Sequence, residues 1–273
     1  MELTYLGTAA AEGFPGIFCE CEVCRKAAAN GGKDVRTRSQ AIIDNQLLID
    51  LPPDTYWHMM QRQLPLPGME HVLITHTHSD HLYLEELYYR RKGFCVTNKR
   101  MTLYGNDALA RKLDQFLVDT RSSYEDSLLA CCELKVFEPV QIGPYTVTAL
   151  PALHDRSENC LIFLIEKAGK RLLYGNDTGV FPDSVWQHIK GLPFDLISLD
   201  CTTGTQRDGN NHMGVPDLID MKARLVDNGN IKEHTALIAT HFSHNGGLLH
   251  HELEELLHPH GYAIAYDGMS VRV

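Results

Sequence analysis

A chain of 273 residues suits one large domain or two small ones, and a hydrophobic content of 44% allows a sizeable core. With 35 acidic against 25 basic side chains the formal net charge is -10, histidines neutral, which argues against broad binding to nucleic acid or an anionic membrane. No apolar run approaches the ~18–20 residues of a membrane helix, and the eight cysteines, behind an N-terminus without a basic n-region, read as reduced thiols or metal ligands in a cytoplasmic protein.

Residues 2–7 alternate as a first strand, followed by a small-residue loop, a cysteine cluster and a helix over 22–29. Two apolar runs within 40–51 flank Asp44-Asn45, the signature of a hairpin. An amphipathic helix is expected over 53–64 and a buried strand over 71–75. Helices are expected over 82–92 and 106–118, while 119–134 has weak periodicity and reads as a candidate excursion over a site. Further strands fall at 136–137, 145–150, 161–165, 171–174, 196–199 and 236–240, with helices at 183–190, 216–228 and 247–257. The runs 263–266 and 269–273 suggest a closing hairpin across Asp267-Gly268. There is no internal repeat and no linker rich in Gly, Ser or Pro, so a single domain over 1–273 is the simplest reading. Strand groups separated by helices suggest two sheets enclosed by helices.

The densest chemical signal is His76-Thr77-His78-Ser79-Asp80-His81, directly after the apolar run Val72-Leu73-Ile74. Residues two apart in extended chain point the same way, so His76, His78 and Asp80 converge, and the turn that follows brings His81 back. Other ligand-type residues also follow apolar strands: His154, Asp177 and His241. Imidazoles and carboxylates suit Zn or Mn without selecting strongly between them. Two such cations can share a water, bring its pKa towards neutrality and stabilise charge on an attacked phosphoryl or acyl group.

A second signal is Cys19-Glu20-Cys21-Glu22-Val23-Cys24. Three thiols can bind one zinc, which takes a fourth ligand in a structural site. His244, three residues after His241, is the best candidate for it. Cysteines 95, 131, 132, 160 and 201 read as small buried apolar residues.

The order His-X-His-X-Asp-His, then a distant His, an Asp and a final His, resembles the metallo-β-lactamase superfamily. The resemblance implies an α/β fold, an αββα sandwich of two mixed sheets flanked by helices, with the site at one sheet edge. It implies that His76, His78 and His154 hold one metal, that Asp80, His81 and His241 hold another, that Asp177 bridges them, and that Asp50 orients the ligand loop. Gly7-Thr8, Glu12-Gly13-Phe14-Pro15, Cys-X-Cys-X-X-Cys and Thr-His-X-Ser-His narrow the likeness to the phosphoribosyl 1,2-cyclic phosphate phosphodiesterases of phosphonate breakdown. A branch associated with pyrroloquinoline quinone biosynthesis has a similar cysteine cluster. The phosphodiesterase resemblance implies two active-site divalent ions (Zn or Mn), one structural Zn on Cys19, Cys21, Cys24 and His244, and His212 as general acid. Asp80 and His212 are then the catalytic candidates.

The expected activity is hydrolysis of a small cyclic phosphate, 5-phosphoribosyl 1,2-cyclic phosphate foremost, by a hydroxide between the metals. Arg36, Arg38, Arg90, Arg91 and Lys92 are candidate phosphate contacts, with solvated surface the plainer reading. The expected partner is a small-molecule phosphodiester, with no membrane, nucleic acid disfavoured and a homodimer allowed for. The rivals are an RNA-processing endonuclease, a thioester or lactam hydrolase, and a non-catalytic metal-binding or carrier protein.

Overall fold

The computed structural model describes residues 1–273. Seven strands form one sheet: β1 (Glu2–Gly7), β2 (Gln40–Ile43), β3 (Leu47–Ile49), β4 (His71–Leu73), β5 (Met101–Gly105), β6 (Leu129–Glu133) and, at the far end of the chain, β14 (Ser270–Arg272). Seven more form the second: β7 (Pro139–Ile142), β8 (Tyr145–Pro151), β9 (Leu161–Lys167), β10 (Lys170–Gly175), β11 (Phe194–Asp200), β12 (Ile231–Thr240) and β13 (Tyr262–Ile264). The orders are β14-β1-β2-β3-β4-β5-β6 and β13-β12-β11-β10-β9-β8-β7.

β2 and β3 pair antiparallel, Ile43 opposite Leu47, across the three residues Asp44, Asn45 and Gln46; Asp44 and Asn45 have φ values of 51° and 55°, and Gln46 N–H closes the turn on Ile43 O at 2.9 Å. From β3 onward the first sheet is parallel, so each connection must cross over. α2 (Thr55–Arg62) and α3 (Asp107–Asp119) lie in two of these crossovers. In the second sheet α4 (Asp183–His188), α5 (Val215–Asp227) and α6 (His250–Leu257) connect the parallel run from β10 to β13. α1 (Glu22–Asn30) follows the cysteine cluster.

Strand alternation divides the core into layers. Leu3, Tyr5, Ala41 and Ile43 point inward to meet Val147, Leu172, Tyr174 and Leu196 between the sheets. Their neighbours Leu6 and Ile42 point outward and pack with Leu109, Leu113 and Leu117 of α3. Leu173, Ile197 and Leu237 face the other way, onto Val185, Leu218, Leu225 and Leu253. Both sheets are therefore apolar on both faces, the pattern of a helix–sheet–sheet–helix sandwich.

Four local expectations change. Residues 84–90 form a 3-10 helix, not an α-helix. The stretch 119–134 is no excursion: its end is the edge strand β6, paired with β5. Residues 136–137 make one bridge, and the strand is β7. The two C-terminal strands do not form a hairpin, because β13 joins β12 in one sheet and β14 joins β1 in the other. Asp267-Gly268 carries the chain between the sheets. Asp267 is tied there by hydrogen bonds from the Thr8 hydroxyl at 2.7 Å and the Thr37 N–H at 2.7 Å.

Candidate metal centre

Five strand ends meet at one edge of the sandwich. Asp50 follows β3, residues 76–81 follow β4, His154 follows β8, Asp177 follows β10 and His241 follows β12. Asp50, Asp177 and His241 have φ values of 65°, 50° and 62°. Left-handed backbone at a non-glycine residue costs on the order of 1–2 kcal/mol, and here it turns a side chain sharply off a strand end into a shared site.

The histidines are held from outside and bare on the inside. His76 Nδ1 lies 3.1 Å from Thr75 Oγ1, and His81 Nδ1 lies 2.7 Å from Asp50 Oδ2. His241 Nδ1 lies 2.8 Å from Thr202 Oγ1, and His154 Nδ1 lies 3.2 Å from Asn211 O. His78 is reversed: its Nε2 lies 2.9 Å from Asp155 Oδ2, so Nδ1 faces His154 Nε2 at 3.3 Å. An oxygen on the outer nitrogen fixes the tautomer and leaves the inner lone pair free. Nε2 of His76, His81 and His241, together with Asp177 Oδ1, are buried and make no hydrogen bond. His81 Nε2 does lie 3.1 Å from Asp177 Oδ2, but without hydrogen-bonding geometry.

Unsatisfied buried polar atoms are costly, and four converging ones fit the donor set of a cation. Four groups at this site fulfil the distance requirement: His76, His78, His154 and Asp177; Asp80, His81, Asp177 and His241; Asp177, Asp200, His212 and His241; and His78, Asp155 and Glu158. Asp177 is common to the first three. Burial is the largest influence on His76 and holds its pKa well below the ordinary value, which favours the neutral imidazole that a metal ligand needs. Burial works against the charged form of Asp177, but His241 and the other imidazoles outweigh it and keep the carboxylate ionised.

His212 stands beside this group. Its Nδ1 lies 3.1 Å from Asp200 Oδ2 and 3.2 Å from Asp177 Oδ1, and its ring stacks on His241 with centroids 5.8 Å apart. Burial disfavours a charged imidazole, but Asp200 outweighs it and raises the pKa to about 9. His212 lines a cavity of about 470 Å³ with His78, Asp80, His154, Asp177 and His241.

The ligand loop is clamped from behind. Glu158 Oε1 accepts from Thr77 N–H at 3.0 Å and Thr77 Oγ1 at 2.9 Å. Its Oε2 accepts from Asn106 Nδ2 at 2.9 Å, while Asn106 Oδ1 caps α3 by accepting from Leu109 N–H at 3.0 Å. The helix cap and the ligand loop thus share one carboxylate.

Cys19, Cys21, Cys24 and His244 also come together. His244 Nδ1 lies 3.6 Å from Cys19 Sγ and 3.7 Å from Cys21 Sγ. A tetrahedral zinc with bonds of about 2.0–2.3 Å separates its ligand atoms by about 3.6 Å, so this is the spacing zinc needs. The Cys24 backbone N–H lowers the Cys21 thiol pKa to about 6, while burial raises that of Cys24 to about 12. One thiolate is thereby available near neutral pH. Gly16 makes room: a Cβ there would sit 2.8 Å from His244 Nε2. The other five cysteines join no such group.

Sequence reasoning missed Asp200, Asp155 and Glu158, and it quoted Glu12 in the motif Glu12-Gly13-Phe14-Pro15 without giving it a role. Asp200 and Asp155 carry the weak signal of a carboxylate next to a strand end or a ligand; Glu158 carries none. None of the five candidate phosphate contacts lines the cavity, and neither does any residue of 119–134 or Tyr88-Tyr89. Arg36 is buried, donating to Thr8 Oγ1 and Ala265 O; Arg38 pairs with Asp54. Arg90 donates to Lys99 O, and Arg91 donates to Thr120 O and stacks on Tyr88. No helix is long and apolar enough to cross a membrane.

Comparison with known proteins agrees with this geometry. A new diphosphatase from the PhnP family has the same fold, with a TM-score of 0.77 and 22% identity, covering 100% of this chain and 97% of that one. Zn(2+)-bound PqqB from Methylobacterium extorquens gives 0.76 at 20% identity, with both chains covered in full. Human tRNase Z, short form, gives 0.66 at 18%, covering 100% and 99%. A curated relative called octanoyltransferase, from Porphyromonas gingivalis (strain ATCC BAA-308 / W83), is 26% identical over 277 residues. The match takes in 98% of this chain and 51% of that protein, so the chain spans about half the length of that relative. The family described as the Beta-lactamase superfamily domain matches residues 45–242, which hold β3 to β12 and every ligand-type residue of the histidine site. The chain therefore belongs to the β-lactamase superfamily and has the metallo-β-lactamase fold.

Proposed function

We propose that this protein is a dinuclear metal-dependent phosphodiesterase acting on a small cyclic phosphate. His76, His78 and His154 would hold one ion, Asp80, His81 and His241 the other, and Asp177 would serve both, with Zn or Mn as the metals. The observation that carries the dinuclear reading is that Nε2 of His76, His81 and His241 are buried without a hydrogen bond and lie 3.3, 3.1 and 3.7 Å from one carboxylate oxygen of Asp177, whose other oxygen lies 3.1 Å from His154 Nδ1. Bound there, divalent cations supply an activated water and offset the charge that develops on the phosphoryl oxygens.

The protein's own groups supply the rest. Asp50, Asp155 and Thr202 hold three of the imidazoles in one tautomer. Asp200 fixes His212 through Nδ1 and leaves Nε2 with its proton at the cavity. As the phosphorus–oxygen ester bond breaks, that proton passes to the departing sugar oxygen. Water adds to phosphorus, and the cyclic diester opens to a phosphomonoester. The likeness to a diphosphatase and to a tRNase Z supports this reading over a thioester or lactam. Among cyclic phosphates the family resemblance points to 5-phosphoribosyl 1,2-cyclic phosphate. Cys19, Cys21, Cys24 and His244 would hold a zinc that pins the loop before α1 to the loop after β12.

The test is a screen of bis(p-nitrophenyl) phosphate, cyclic nucleotides, sugar cyclic phosphates, precursor tRNA and acyl thioesters with Zn- and Mn-loaded protein. Turnover of small phosphodiesters alone is expected; thioester turnover without phosphodiester turnover would overturn the proposal.

A further inference from the structure

The catalytic cavity continues past His78 and His154 into a second cleft. Both histidines line both spaces, and the cleft, of about 580 Å³, is completed by Asp155, Arg156, Asp208, Asn210 and Asn211. Histidines aside, Arg156 is the one basic side chain lining either space. It is exposed, and its guanidinium makes no hydrogen bond or ion pair within the protein. Arg207, next to Asp208, is by contrast held by Asp220 at 2.6 Å and Asp217 at 3.3 Å. The two carboxylates of the cleft are already engaged. Asp155 Oδ2 lies 2.9 Å from His78 Nε2, and its Oδ1 accepts from Ser157 N–H at 2.7 Å. Asp208 Oδ1 accepts from Asn210 Nδ2 at 3.4 Å. Asn211 offers its backbone oxygen to His154 Nδ1 at 3.2 Å and leaves its exposed side-chain amide unbonded. The open donors of the cleft are thus the guanidinium of Arg156 and the amide of Asn211, both beside the histidines of the first candidate metal.

Resting on the phosphodiesterase reading, we propose that this cleft is the subsite for a second, non-reacting phosphate of the substrate, with Arg156 as the cation that selects it. A guanidinium presents its donors in a planar fork that matches two phosphate oxygens at once. A phosphomonoester carries about -1.5 to -2 charges at neutral pH, so it gains most from a cation that no carboxylate has claimed. The main cavity offers it no lysine or arginine, and the cleft offers it one. Binding energy from a remote group of this kind fixes the reacting phosphoryl in place at the other end of the molecule. Arg156 touches no reacting atom. It favours a sugar cyclic phosphate that bears a further phosphate, such as 5-phosphoribosyl 1,2-cyclic phosphate, over one that does not.

The experiment compares kcat/KM for ribose 1,2-cyclic phosphate and its 5-phosphorylated form in metal-loaded wild type, Arg156→Ala and Arg156→Lys, with bis(p-nitrophenyl) phosphate as reference. The wild type is expected to prefer the phosphorylated sugar by about tenfold or more. Arg156→Ala is expected to remove that preference, mainly by raising KM for the phosphorylated sugar. Arg156→Lys keeps the charge without the fork and is expected to restore part of it. No preference in the wild type, or the same preference in Arg156→Ala, with bis(p-nitrophenyl) phosphate hydrolysed, overturns this proposal alone. No hydrolysis of any of the three substrates overturns the phosphodiesterase reading and this proposal with it.

Discussion

His212 and Asp200 show how one pair of residues separates two kinds of substrate. A poor leaving group such as a sugar alkoxide needs a proton; p-nitrophenolate does not. His212→Ala is expected to lower kcat on a sugar cyclic phosphate by about 10²–10⁴-fold and to leave bis(p-nitrophenyl) phosphate within about tenfold. Equal losses on both substrates, read from steady-state kinetics, would show that His212 acts on the metal site and not on the leaving oxygen.

His58 gives a prediction away from the site. It is buried on α2 with Nε2 2.6 Å from Thr37 Oγ1 and Nδ1 2.6 Å from Gln40 Oε1. Burial lowers its pKa from 6.5 to about 4. Between those values the unfolded chain takes up a proton that the folded chain refuses. The stability from neutral His58 is therefore complete above pH 6.5 and lost as pH falls towards 4, by about 3 kcal/mol in all. Denaturant unfolding at pH 7 and pH 5 should show a steeper loss in the wild type than in His58→Gln; parallel losses would contradict it.

What was legible at this scale follows from spacing. The hexapeptide gathers four ligand-type residues within one turn of chain, so no fold was needed to see them. Asp155 and Asp200 each serve a histidine distant in sequence (His78 lies 77 residues from Asp155), and isolated carboxylates carry no such pattern.

At the scale of elements, the clamp built on Glu158 joins the cap of α3 to the ligand loop. Glu158→Gln should weaken metal binding about 10–100-fold, the usual loss when groups behind a ligand are disturbed, while Leu113→Ala in the buried face of the same helix should cost about 2–5 kcal/mol of stability. Metal titration and denaturant midpoints read the two separately. If Glu158→Gln lowered stability as much as Leu113→Ala yet left metal affinity unchanged, the clamp would be a helix cap only. Helices and strands with strong periodicity, such as α3 and β9, could be read from the sequence. The destination of β14 could not, because alternation shows which faces are buried but not which sheet a short strand joins.

Across the whole molecule, the cysteine group and the histidine group are linked through one loop. His241 faces the candidate metal pair, and His244 faces the thiols. Glu12, beside His244 Nε2, lines the catalytic cavity. Cys21→Ser should therefore lower the thermal midpoint and raise KM more than it lowers kcat, since it frees the wall of the cavity and touches no reacting atom. A fall in kcat alone, with the midpoint unchanged, would place the thiols in the chemistry instead.

The most direct measurement titrates Zn or Mn into metal-stripped protein while following hydrolysis of bis(p-nitrophenyl) phosphate. Hydrolysis should stay near zero until the cysteine group is filled and should reach its maximum only when two further ions per chain are bound. The Asp177→Ala chain should stop at the first ion without turnover. Full hydrolysis with a single bound ion, or none with three, would contradict a dinuclear phosphodiesterase centre.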